Sequence, residues 1–192
     1  MTTVRLYGIK EGSLVDGPGV RMTFFFSGCL HHCYKCHNPD TQDFKNYESY
    51  GVTQLIDKLV DNMDLIDGLT ISGGDALFQY YPLVELLYRI RHHRKLKKLN
   101  IWLYTGFLFE QLDDTIKKLV DVIVDGRYTH GLSKKQWAGS SNQRIFKKQS
   151  DGVWNLEGKD EMTCYYPNGG LWDFVEHEEN KNKKLNEFIG EK

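Results

Sequence analysis

Val20-Arg21-Met22-Thr23-Phe24-Phe25-Phe26, followed at once by Ser27-Gly28-Cys29, is the stretch on which the fold turns. The run is rich in β-formers and is stopped by Ser-Gly, which reads as a buried strand feeding a tight loop. Further along, Gly68–Ser72, Leu99–Tyr104 and Val122–Val124 have the same short apolar character. Between them lie helical periodicities: Val52, Leu55, Ile56, Leu59, Val60 and Met63, then Leu83, Leu86, Leu87 and Ile90, then Leu108, Leu112, Ile116, Leu119 and Val120. Strands alternating with helices predict parallel pairing with crossover helices. The expected fold class is therefore α/β: a partial (β/α) barrel with parallel strands, four being too few to close one. A small irregular or β extension is expected at the C-terminus. The domain expectation is 1–154 for the main unit and 155–192 for an extension whose role the sequence leaves open.

Each expected strand ends in residues suited to chemistry. These are Cys29–Cys36, Gly73-Gly74-Asp75, Tyr104-Thr105-Gly106 and Asp125-Gly126. In parallel α/β folds the carboxyl ends of the strands share the ligand-binding face. Gly and Asp also make ordinary turns, so the cysteines separate the two readings.

Three of the four cysteines, Cys29, Cys33 and Cys36, crowd into eight residues; Cys164 stands apart and reads as a bystander. Such crowding points to metal ligation in a reducing compartment. The N-terminus lacks the apolar core of a signal peptide, and no run reaches the ~20 apolar residues of a membrane helix, so the chain is expected to be cytoplasmic. A formal net charge of −1 with 27% charged residues gives no basic field for nucleic acid or an anionic membrane. A fully protein-held 4Fe–4S cluster takes four cysteines, and this loop offers three, which leaves one iron open to an outside ligand. The alternative is structural zinc on Cys29, Cys33, Cys36 and His37, with His31 and His32 nearby, in a binding module without redox chemistry.

Cys29-x3-Cys33-x2-Cys36 after a strand resembles the signature of the radical S-adenosylmethionine superfamily, and Gly73-Gly74-Asp75 resembles its Gly-Gly-Glu type motif. Asp16-Gly17-Pro18-Gly19-Val20-Arg21 and Cys36-His37-Asn38 resemble glycyl-radical-enzyme activases. Ile101–Gly106, Val124–Tyr128 and Gly139-Ser140-Ser141-Asn142-Gln143-Arg144 resemble the branch acting on the anaerobic ribonucleoside-triphosphate reductase. The alternative branch acts on pyruvate formate-lyase.

The resemblance implies a 4Fe–4S cluster on Cys29, Cys33 and Cys36, and S-adenosylmethionine contacts from Lys35, Cys36, His37, Asn38, Gly73, Gly74, Asp75, Thr105 and Asp125. It also implies a flavodoxin-like electron donor and the large subunit of the reductase as partner. Reductive cleavage of S-adenosylmethionine would lead to hydrogen removal from a partner glycine, with no acid–base residue beyond the cluster and S-adenosylmethionine. Lys35 stands where the superfamily places an aromatic, and Tyr34 or His37 offers a ring instead. Ala76 and Ala138 replace a usual Pro and Arg, and His37 leans toward the formate-lyase branch.

Overall fold

The structure, a computed structural model, describes residues 2–157. Among them, eight strands form one open mixed sheet. They are β1 (Thr3–Ser13), β2 (Arg21–Phe26), β3 (Glu48–Gly51), β4 (Gly68–Gly73), β5 (Asn100–Tyr104), β6 (Val122–Asp125), β7 (Arg144–Lys148) and β8 (Trp154–Glu157). Their spatial order is β3-β1-β2-β4-β5-β6-β7-β8. The four strands legible as apolar runs, β2, β4, β5 and β6, are mutually parallel and occupy the middle. Antiparallel pairs flank them on both sides. The expected parallel strands are thus found, as the centre of a mixed sheet that is open and does not form a barrel.

Alternation along each central strand sorts side chains to two faces. Met22, Phe24 and Phe26, with Leu69, Ile71, Ile101, Leu103 and Ile123, pack into the main core. Three helices cover that face: α1 (Val52–Asp61), α2 (Tyr80–His92) and α3 (Asp114–Leu119). They contribute Leu55 and Leu59, then Leu83, Leu86, Leu87 and Ile90, then Ile116. On the other face Trp102, Val122, Val124 and Ile145 form a second cluster with Ala138, against which Tyr104 and Trp137 pack.

The third helix is shorter than the periodicity predicts. Phe109–Gln111 forms a 3-10 turn, and α3 begins only after Asp113, whose Oδ1 accepts from the Ile116 N–H at 2.8 Å. Tyr80 donates its hydroxyl to the other oxygen of Asp113. Asp113 therefore acts as an N-cap that starts the helix late. The expected boundary at 154 falls at the first residue of β8, which pairs with β7 and so continues the same sheet. The rest of the expected extension, with Cys164, lies outside the described residues.

Arg21 closes the lower end of the parallel centre. Its side chain is 1% exposed and bridges three strands. Nε donates to Thr70 Oγ1 at 2.6 Å, and the terminal nitrogens donate to Leu69 O at 2.7 Å and Asn100 O at 3.0 Å. The guanidinium lies 5.5 Å from the Trp102 ring centroid. Burial lowers its pKa to about 10, so it keeps its charge at neutral pH. Arg21→Ala leaves these carbonyls unpaired around a void, and is expected to cost about 3–5 kcal/mol in urea denaturation. Arg21→Lys should recover part of that loss, because an ammonium cannot span the three strands in one plane.

Candidate functional site

The cysteine loop leaves β2 and returns beside its own starting point. Gly28 N donates to Thr41 O at 2.7 Å and Cys29 N donates to Gln42 O at 3.2 Å, which clasps the loop at its base. Gly28 is obligatory there: its φ is +99°, and an added Cβ would lie 2.4 Å from the Phe44 ring. Within the loop, Cys36 N donates to Cys33 O at 3.1 Å, forming a tight turn. His32 and Lys35 take left-handed backbone at φ 48° and 50°. These turns bring all three cysteines to the wall of one cavity of about 500 Å³. Cys29 is buried, whereas Cys33 and Cys36 are half-buried. Burial, with Asp75 nearby, pushes the Cys29 thiol up to about 12. Burial and the neighbouring Cys36 also raise Cys33.

The turn after β4 forms the second wall. Gly74 N donates to Phe26 O at 2.8 Å, and Asp75 N donates to Gly28 O at 2.9 Å. A Cβ on Gly74 would lie 2.4 Å from Gly28 O, so only glycine permits this approach to the cysteine loop. Thr105 and Gly106, after β5, and Gly126, Arg127 and Tyr128, after β6, supply further wall.

The segment 139–144 locks that last part. Gln143 Nε2 donates to Gly126 O at 3.0 Å while its Oε1 accepts from Gly139 N at 2.8 Å. Asn142 Nδ2 donates to Arg127 O at 2.8 Å, and Ser140 Oγ accepts from Thr129 N at 3.1 Å.

Of the expected site residues, Cys29, Cys33, Cys36, His37, Asn38, Gly73, Gly74 and Thr105 line the cavity. Lys35, Asp75 and Asp125 do not. Lys35 is exposed, with its ammonium 5.6 Å from the Tyr34 ring. Asp75 is 1% exposed and turns inward to His31, Thr105 and the Gly106 N–H. Asp125 is 0% exposed; it accepts from Phe109 N at 2.6 Å and from Arg144 Nε at 3.0 Å. Arg144 also pairs with Glu110. Burial opposes the Arg144 charge, but the hydrogen bonds it donates to Asp125 and Glu110 outweigh that and raise its pKa. Both expected carboxylates thus stand behind the wall, tied to donors from the protein.

Asp16 is the one carboxylate among the described residues that line the cavity. Thr23 Oγ1 donates to it at 3.0 Å and Ser13 Oγ at 2.5 Å. Its signal was present in the sequence as the Asp-Gly-Pro-Gly turn before β2, without a stated role. Tyr104, from the marked Tyr104-Thr105-Gly106 segment, also lines the cavity, as do Trp137 and Lys134, which nothing in their local sequence marks.

The histidines are placed against zinc. His31 Nε2 lies 2.8 Å from Asp75, and the His37 ring packs on Tyr128 at 4.2 Å between centroids. Among the described residues, no three His, Cys, Asp or Glu side chains converge on a point that one metal ion could occupy. A tetrahedral zinc would need its thiolates within ~2.3 Å of one centre. Three thiols along one wall, with room beside them, fit a cubane that offers each thiol its own iron. The cavity is also of the size that encloses a nucleoside-sized ligand. Among the described residues, no helix is long and apolar enough to cross a membrane.

Comparison with known proteins agrees with this donor set. The family described as a 4Fe-4S single cluster domain matches residues 15–146. The anaerobic ribonucleoside-triphosphate reductase-activating protein of Enterobacteria phage T4 is 36% identical over 146 residues, covering 73% of this chain and 91% of that protein. The protein of the same name from Escherichia coli K12 is 36% identical over 142 residues, covering 69% and 91%. That of Vibrio cholerae is 34% identical over 147 residues, covering 70% and 92%. Shared residues over nearly the whole length of these relatives, together with three cysteines on one cavity wall, establish that the chain belongs to the anaerobic ribonucleoside-triphosphate reductase-activating protein family.

Proposed function

We propose that this chain holds a 4Fe–4S cluster on Cys29, Cys33 and Cys36 and binds S-adenosylmethionine beside it. On this reading it generates a glycyl radical on the large subunit of the anaerobic ribonucleoside-triphosphate reductase. A flavodoxin-like protein supplies the electron, in the cytoplasm. The observation that carries the proposal is the meeting of three thiols and a two-glycine wall in one cavity. When bound, the cluster supplies the electron that breaks a carbon–sulfur bond of the sulfonium.

The chain's own residues do the positioning. Gly73 and Gly74, without side chains, let the methionyl ammonium reach backbone carbonyls. Asn38 and the His37–Tyr128 pair face the nucleoside with amide and aromatic surfaces. Thr105 forms the wall between them, while Asp75 and Asp125 keep the walls in place from behind. Lys35 contributes its backbone turn. Walls at the ends of β2, β4, β5 and β6 shield the reacting centre from water.

Purified without oxygen, the protein should be brown and contain about four irons per chain. Cys29→Ala, Cys33→Ala or Cys36→Ala should each abolish S-adenosylmethionine cleavage; Cys164→Ala should not. Mixed with S-adenosylmethionine, reductant and each candidate partner, the protein should yield a glycyl radical by electron paramagnetic resonance on the reductase. A signal confined to pyruvate formate-lyase would overturn the choice of partner.

In the metal-free protein, iodoacetamide should alkylate Cys29 more slowly than Cys33 or Cys36. The Cys29 thiol also fixes the sign of a pH effect. Below 9.0 it is neutral in both folded and unfolded chains; between there and about 12 only the unfolded chain ionises. The metal-free protein should therefore lose stability as pH rises through that window, and Cys29→Ala should lose less, as read by urea denaturation at pH 8 and pH 10.

A further inference from the structure

His31 lies between two of the cysteines and reaches the cavity wall, yet its ring nitrogen is turned away from the cysteines to a buried carboxylate. Its ring is buried between Phe107 and Phe78, at centroid distances of 4.7 and 5.4 Å. Nε2 lies 2.8 Å from Asp75 Oδ2. That same oxygen accepts from Thr105 Oγ1 at 2.8 Å and from Gly106 N at 2.9 Å. The other oxygen accepts from Leu77 N at 3.1 Å. One buried carboxylate thus joins the cysteine loop to the ends of β4 and β5. A Cβ on Gly106 would lie 2.4 Å from the His31 ring, so Gly106 is small to admit the histidine.

We infer that His31 is a positioning residue: tied to Asp75, it fixes the Cys29–Cys33 half of the loop against the ends of β4 and β5 and so sets where the Cys29 sulfur meets the cavity. The inference deepens the cluster reading above and rests on it for its consequence in the loaded enzyme. Packing alone does not explain the residue. A phenylalanine would fill the space between Phe107 and Phe78, but would deprive a buried carboxylate of a donor.

The test compares wild type with His31→Phe, which keeps the ring volume and removes the donor, and His31→Gln, which keeps a donor. In the metal-free protein, His31→Phe should raise the rate of Cys29 alkylation, because the half of the loop that buries this sulfur is released. Cys36 alkylation should not change. In the reconstituted protein, KM for S-adenosylmethionine should rise more than kcat falls. His31→Gln should restore most of both.

If His31→Phe fails to fold, Gly106→Ala displaces the same ring with Asp75 untouched and should give the same Cys29 exposure. A His31→Phe protein with unchanged Cys29 alkylation and KM would overturn the inference while leaving the cluster reading standing. A wild-type protein that takes up no iron would overturn the cluster reading, and the alkylation comparison would still decide the tie.

Discussion

Everything at the site depends on hydrogen bonding that continues past the ends of two parallel strands. The β2–β4 ladder runs to Phe26 and Gly73, and the loops that follow stay bonded to each other. Gly74 N reaches Phe26 O, Asp75 N reaches Gly28 O, and Gly28 N reaches Thr41 O. This chain of main-chain bonds sets the distance between the cysteine loop and the glycine wall. Glycine at 28 and 74 is the condition for it, since a Cβ at either would meet Phe44 or Gly28 itself.

Behind the walls, two buried carboxylates do for the later strands what the ladder does for the first. Asp75 gathers donors from the cysteine loop and from the start of the β5 loop. Asp125 gathers the Phe109 N–H and the Arg144 guanidinium. A buried carboxylate is tolerable only when its oxygens are filled, so each one demands that several segments arrive together. Neither is left over to face a ligand. Asp16, whose side-chain donors come from Ser13 and Thr23, is the carboxylate that reaches the cavity instead.

Much of this was written plainly in the chain. Apolar runs broken by glycine marked the parallel strands, and cysteine spacing marked the ligands. β3 was hidden because Glu48-Ser49-Tyr50-Gly51 has no apolar alternation and owes its strand to pairing with β1. β7 was hidden because Arg144 and Lys147, each tied to a carboxylate, read as loop residues. The direction of a carboxylate depends on which donors the folded chain brings to it, and no local pattern encodes that. Asp75 and Asp125 were therefore legible as loop residues at the strand ends, but not the direction in which they turn. His31 was visible as a spare metal donor, but its bond to Asp75 spans 44 residues and exists only once β4 is in place.

The fastening of the cavity through backbone groups has an evolutionary consequence. Most hydrogen bonds that shape the cysteine loop come from amides and carbonyls, which every residue type except proline provides in full. An exposed rim side chain such as that of Lys35 can consequently change without moving the sulfurs. Natural variation can retune what the mouth admits while the pocket beneath it is inherited unchanged.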